Sequence, residues 1–177
     1  MDPYKKKLLR ELKNKSLELK GDLEYTKSIY QVSVNGFCLA VNNYCEEKSL
    51  DNPLDKISKK IKEDKKKDFS PKLKSLFREI AKKTHTDLSK NESTRSTLES
   101  AVEAKKEKDA SSLLSIANDL KIPTNSLDYK SIEIIESSIN NMQNDINSMK
   151  QSYPWIWYHS EKYLKENIIV SFIESEV

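Results

Sequence analysis

Residues 12–44, LKNKSLELKGDLEYTKSIYQVSVNGFCLAVNNY, decide the fold class, because two incompatible periods compete inside them. Read helically, Leu12, Ser16, Leu19, Leu23, Thr26, Tyr30, Ser33, Phe37, Ala40 and Tyr44 recur at alternating spacings of four and three. That is the heptad seam of a coiled coil, weakened by its polar members. Read with a period of two, Val32–Val41 alternates around Asn35-Gly36, a dipeptide strongly favoured in tight β-hairpins. The heptad phase passes through Asn35-Gly36 unbroken, so a helix over residues 4–48 is expected, with a kink at Gly36 as the trace of the glycine.

Outward from this stretch, a second seam obeys the same rule: Ile132, Ile135, Ile139, Met142, Ile146, Met149 and Tyr153. Each large apolar side chain gains roughly 1.5–3 kcal/mol on burial, so neither stripe is stable in water. The expected solution is an all-α fold in which the two long helices pair antiparallel and hold residues 50–125 between them. Self-association through the seams would bury the same surface. The segments are then 1–49, a long helix; 50–125, a helical region; and 126–177, a helix with a Trp-rich tail.

The composition agrees with helices arranged in stripes. Of 177 residues, 36% are hydrophobic and 33% charged, with only two Gly and five Pro. Net charge is +3, so binding to nucleic acid would have to come from a local patch rather than from the whole chain. No run of 18 apolar residues exists, and Met1–Lys7 leads into no apolar signal core, so a cytoplasmic protein without a membrane span is expected. Cys38 and Cys45 are seven residues apart, about 10.5 Å along one helix, too far for a disulfide. They lack the further ligands a structural zinc needs and are expected to be reduced apolar fillers.

Four internal prolines mark joints. Asn52-Pro53 and Ser70-Pro71 each pair a good N-cap with a residue suited to the first helical turn. After Pro123, Thr124, Asn125 and Ser126 offer caps for the second long helix, and Asp109 is the expected cap of the helix through Ala110–Ile122.

The stretch that points to function is SPKLKSLFREIAKKTHTD, residues 70–87. Leu73, Leu76, Phe77, Ile80 and Ala81 fall on one helical face, while Lys72, Lys74, Arg78, Lys82 and Lys83 line much of the rest. A loop at Leu88–Thr97 then leads to a returning helix, Leu98–Lys108, with Leu98, Ala101, Val102 and Ala104 as its apolar stripe. On its own the helix is an amphipathic one with a solvated basic side, and His85 an ordinary helix-end histidine favoured by the dipole.

A basic helix, a His-x-Asp turn and a returning helix resemble helices II and III of the J domain, the DnaJ-type co-chaperone module. Phe77, Arg78, Glu79, Ile80 and Ala81 stand where that family has its Tyr-Arg-Lys-Leu-Ala-type run, and His85, Thr86 and Asp87 stand at its His-Pro-Asp. The resemblance covers about 50 residues, and the layout is similar to short J-like proteins of large tailed bacteriophages. Two departures are plain: Thr86 replaces the proline that fixes φ in the turn, and the family's first helix, with its Tyr-Tyr and Leu-Gly pairs, has no counterpart in Asn52–Lys67. The resemblance implies that Lys72, Lys74, Arg78, Lys82 and Lys83 dock on an acidic surface of a DnaK-type chaperone ATPase, where His85 and Asp87 promote ATP hydrolysis. Charge steers such an encounter, and the turn then biases the partner's conformations.

Two other classes remain open. The Lys-rich stretches Lys56–Lys67 and Lys72–Lys83 could bind a phosphate backbone without base readout, or the seams could build a structural assembly. An enzyme is least expected: there are two histidines, no Gly-rich phosphate loop and no carboxylate pair with an identifiable environment, so no catalytic, cofactor or metal residue is assigned. In the tail, Tyr153, Trp155, Trp157, Tyr158 and His159 read either as an interface anchor or as a plug on the open end of the helical hairpin. Ile168, Ile169, Phe172 and Ile173 are expected to pack back on that body.

Overall fold

A computed structural model describes residues 3–57, 68–84 and 92–176, and every regular element among them is helical. In chain order these are α1 (Pro3–Lys48), α2 (Leu54–Ile57), α3 (Pro71–Thr84), α4 (Glu92–Lys106), α5 (Ala110–Asp119), α6 (Tyr129–Lys150), α7 (Tyr153–His159), a 3-10 turn (Lys162–Leu164) and α8 (Lys165–Glu176). None is long and apolar enough to cross a membrane.

The chain divides into two compact units, one made of Met1–Gly21 with Lys65–Gln143 and the other of Asp22–Asp64 with Asn144–Val177. Each unit thus joins two stretches far apart in the sequence, whereas the segments read from the sequence were consecutive.

The competition inside residues 12–44 is won by the helix, which runs through Asn35-Gly36. Leu9, Leu12, Ser16, Leu19, Thr26, Ser33 and Phe37 are buried, so the seam lies where its spacing put it. Beyond Phe37 the buried residues become Val41 and Cys45, while Ala40 and Tyr44 are only partly covered. A straight helix drifts about 20° per heptad against a 3.5-residue repeat, and here the buried line tracks the straight helix. The second seam is buried through Ile132, Ile135, Ile139, Met142 and Ile146.

The antiparallel hairpin is not formed. In the first unit the opening of α1 lies beside the opening of α6, where Lys5 Nζ donates to the carbonyl of Leu127. In the second unit the later part of α1 packs on the helices beyond the end of α6: Phe37 meets Trp157 edge-on, ring centroids 5.9 Å apart. Within the first unit, then, start lies by start, where an antiparallel hairpin would set the start of α1 by the end of α6. A heptad seam states which residues are buried and is indifferent to direction.

In the first unit α3, α4 and α5 pack on one another. Leu73, Leu76, Ile80 and Thr84 of α3, Ala101 and Ala104 of α4, and Leu113, Leu114 and Ala117 of α5 are buried. Val102, placed in the stripe by its period, is half exposed. The helix expected from Leu98 begins earlier, at Glu92, so Ser93–Thr97 are helical rather than loop. The Thr97 hydroxyl donates back to Ser93 O and Arg95 pairs with Glu99 at 3.1 Å, which reconciles these polar residues with a helix.

Proline joints behave as read. Ser70 caps α3, its Oγ accepting from Leu73 N at 3.1 Å, with Pro71 at the first helical position. Asn52 Oδ1 accepts from Leu54 N ahead of α2. The cap of α6, however, is Asp128 rather than Thr124, Asn125 or Ser126: Oδ1 accepts from Ser131 N at 2.9 Å. The Ser131 hydroxyl also donates to Asp128, leaving its oxygen to accept from Ser70 Oγ at 2.8 Å, so one buried network joins the caps of α3 and α6.

Candidate functional site

The structure keeps the five basic residues of α3 exposed but divides them by role. At 100° per residue, Lys74, Arg78 and Lys82 (i, i+4, i+8) form one row on the side away from Leu73, Leu76 and Ile80. Lys72 and Lys83 lie on the flank of the helix instead. Lys83 Nζ donates to Leu120 O at 2.6 Å, closing the C-terminus of α5, and Lys72 stands in the field of Asp128. The bond of Lys83 ties α3 to α5, which a wheel drawn from sequence cannot reveal because its partner lies on another element.

The row is presented by a rigid support. Lys105 of α4 sits over the Phe77 ring, 4.4 Å from its centroid, pinning α4 to α3. Lys108 pairs with Asp68 at 2.8 Å, tying the approach to α3 to the exit of α4. Hydrogen bonding from Lys108, and then its charge, hold the Asp68 carboxyl below the usual range. At the end of α3, Thr84 is fully buried and its hydroxyl donates to Ile80 O at 2.8 Å, so the last turn is fixed up to residue 84. His85, Thr86 and Asp87 lie outside the described residues, as do the side chains of Lys56 and Ile57 and residues 58–67 of the other Lys-rich stretch.

Asp109, the expected cap of α5, does more than the sequence suggested. Its carboxylate accepts from Ser111 N and Ser112 N, both at 3.1 Å, and from the hydroxyls of Ser111, Ser112 and Ser138 of α6. Burial alone would raise its pKa, but the hydrogen bonds from Ser111, Ser112 and Ser138 outweigh it and leave the carboxyl below its ordinary value. It is a joint between α5 and α6, made of acceptor bonds that are all satisfied.

In the second unit the tail covers α1. Phe37, Val41, Cys45, Ile169 and Phe172 form a buried cluster, with Tyr153, Trp157, Ile168 and Ile173 packed against it. The expected stripe of α8 is present, and Trp157 fills the space above Gly36. A Cβ on that glycine would stand 3.2 Å from the indole Cζ3, which explains a glycine in mid-helix better than a kink does. Trp155 is not part of that cluster and stacks on His159, centroids 4.4 Å apart. Cys38 and Cys45 are free thiols, both with pKa pushed up by burial. Among the described residues no group of three or more His, Cys, Asp or Glu could hold a metal ion.

Comparison with protein-family models, curated proteins and solved structures returns no match.

Proposed function

We propose that this chain is a J-domain-like co-chaperone that docks on a DnaK-type chaperone ATPase through α3 and acts on it through His85 and Asp87. The observation that supports this reading best is the packed pair of α3 and α4, with the row Lys74–Arg78–Lys82 outward and His-Thr-Asp in the short connection between the two helices. Such a row attracts an acidic surface over roughly a Debye length, about 8 Å at physiological salt, and so favours encounter and orientation more than affinity. His85 acts as a recognition group in the partner's interface.

The test is the steady-state ATPase rate of a DnaK-type chaperone with the intact chain added. Stimulation is expected, with loss on His85→Gln. Lys74→Gln/Arg78→Gln/Lys82→Gln should weaken it, most visibly at low salt. Thr86→Pro, which fixes φ in the turn, should raise it. An intact chain that leaves the rate unchanged across DnaK-type partners overturns the reading.

A further inference from the structure

The first unit carries a second basic surface, distinct from α3. An open groove of about 980 Å³ runs between the first three turns of α1 and the α5–α6 connection. Lys6, Lys7, Arg10, Lys13 and Lys121 line it, and among the described residues no carboxylate does. The chain as a whole is nearly balanced, 31 basic against 28 acidic residues, so this segregation is a local feature that the net charge of +3 conceals. Among the described residues, partial neutralisation comes from the rim: Glu11 lies 3.8 Å from Lys7, and Asp119 lies 3.5 Å from Lys13. Lys6, Arg10 and Lys121 have no carboxylate within ion-pair distance among the described residues.

The arrangement selects among anions. Lys6, Arg10 and Lys13 succeed one another at i, i+4 and i+7, a row about 10 Å long on the helix surface. Charges strung along a line suit a polymer of regularly spaced anions, whereas a single small anion needs donors that converge. Long cationic side chains in an open groove neutralise phosphates without fixing a register. The lining contains no aromatic ring on which an unstacked base could lie, so a single strand gains no stacking there. Among the described residues, no apolar side chain other than Leu9, Ile122 and the two prolines Pro3 and Pro123 reaches the lining; Leu9 and Ile122 are themselves buried, and so cannot enter a lipid interface.

We infer that this groove binds the phosphodiester backbone of double-stranded nucleic acid, without reading its sequence. Engaging three to five phosphates predicts a slope of log K against log salt between about −3 and −4.5.

The experiment uses the full chain and a labelled 20-base-pair duplex, with binding monitored by anisotropy between about 50 and 200 mM salt. Lys6→Gln/Arg10→Gln/Lys13→Gln should weaken binding at least tenfold at the low-salt end and flatten the slope by about 2 to 3, with helicity by circular dichroism unchanged. Lys74→Gln/Arg78→Gln/Lys82→Gln should bind as the parent does. No binding at low salt, parental binding by the α1 variant, a loss that tracks the α3 variant instead, or equal or stronger binding of polyglutamate or phosphatidylserine vesicles each overturns the inference. The proposed co-chaperone role stands or falls separately, because the α1 variant leaves α3 and His85 intact and should still stimulate the ATPase.

Discussion

Asp109 shows how much one side chain can organise here. Five donors converge on its carboxylate, two of them backbone N–H groups of α5 and one the Ser138 hydroxyl of α6. Removing an N-cap costs about 1 to 2 kcal/mol, and leaving partly buried hydroxyls unpaired adds to it. Asp109→Ala should therefore lower stability by about 2 kcal/mol in a denaturant titration, with little change in slope. Asp109 and Asp128 both have carboxyls held below the ordinary value of 3.8, Asp128 chiefly by the Ser131 hydroxyl. A depressed carboxyl stabilises the fold above its unfolded pKa and loses that contribution as pH falls through the folded one. The loss of stability on acidification should thus be concentrated below about pH 4, and Asp109→Ala should be less sensitive there than the parent. The cap at Asp109 was legible from Asp-Ala-Ser-Ser after a helical pattern. Its bond to Ser138 was not, since nothing local relates residues 29 apart.

At the scale of the helix, the two glycines of α1 make a controlled comparison. Around Gly21 an added Cβ would meet nothing within 4 Å, whereas at Gly36 it would meet Trp157. Alanine is favoured over glycine inside a helix by about 1 kcal/mol. Gly21→Ala should raise stability by roughly that amount. Gly36→Ala should gain distinctly less, because the indole must give way by a few tenths of an ångström, and its Trp fluorescence should shift while that of Gly21→Ala should not. A bulkier Gly36→Val should displace the ring and destabilise. The helix itself was legible from the unbroken heptad phase, and so were the seams, α3 and the stripe of α8. Local polarity misled at one place: Ser93–Thr97 look like a loop, yet tertiary support on Ala101 and Ala104 carries the helix back to Glu92.

At the scale of the whole molecule, the tail completes a core that α1 alone leaves open. Phe37, Val41 and Cys45 are at most 3% exposed, and their cover includes Ile169 and Phe172 of α8. Each such side chain returned to water costs roughly 1.5–3 kcal/mol. A chain ending at residue 152 should bind a dye for exposed apolar surface. Its Cys45 should react with a thiol reagent faster than in the full chain, because burial no longer opposes the thiolate. Equal Cys45 reactivity in the two chains would mean the tail covers nothing. In the full chain Cys38, the more exposed thiol, should react first.

The sequence by itself determined the helical class, most residues of each buried line, where proline-capped α3 starts, and that its basic residues face water, because each depends on a period or a cap within a few positions. Only the tertiary structure decided that the openings of α1 and α6 lie together, the bond of Lys83 to the end of α5, the seat of Trp157 on Gly36, and the gathering of α1's first lysines with Lys121 around one groove. Periods are rotational and repeat identically in either direction, whereas direction, partnership and the meeting of distant charges depend on how the intervening chain returns.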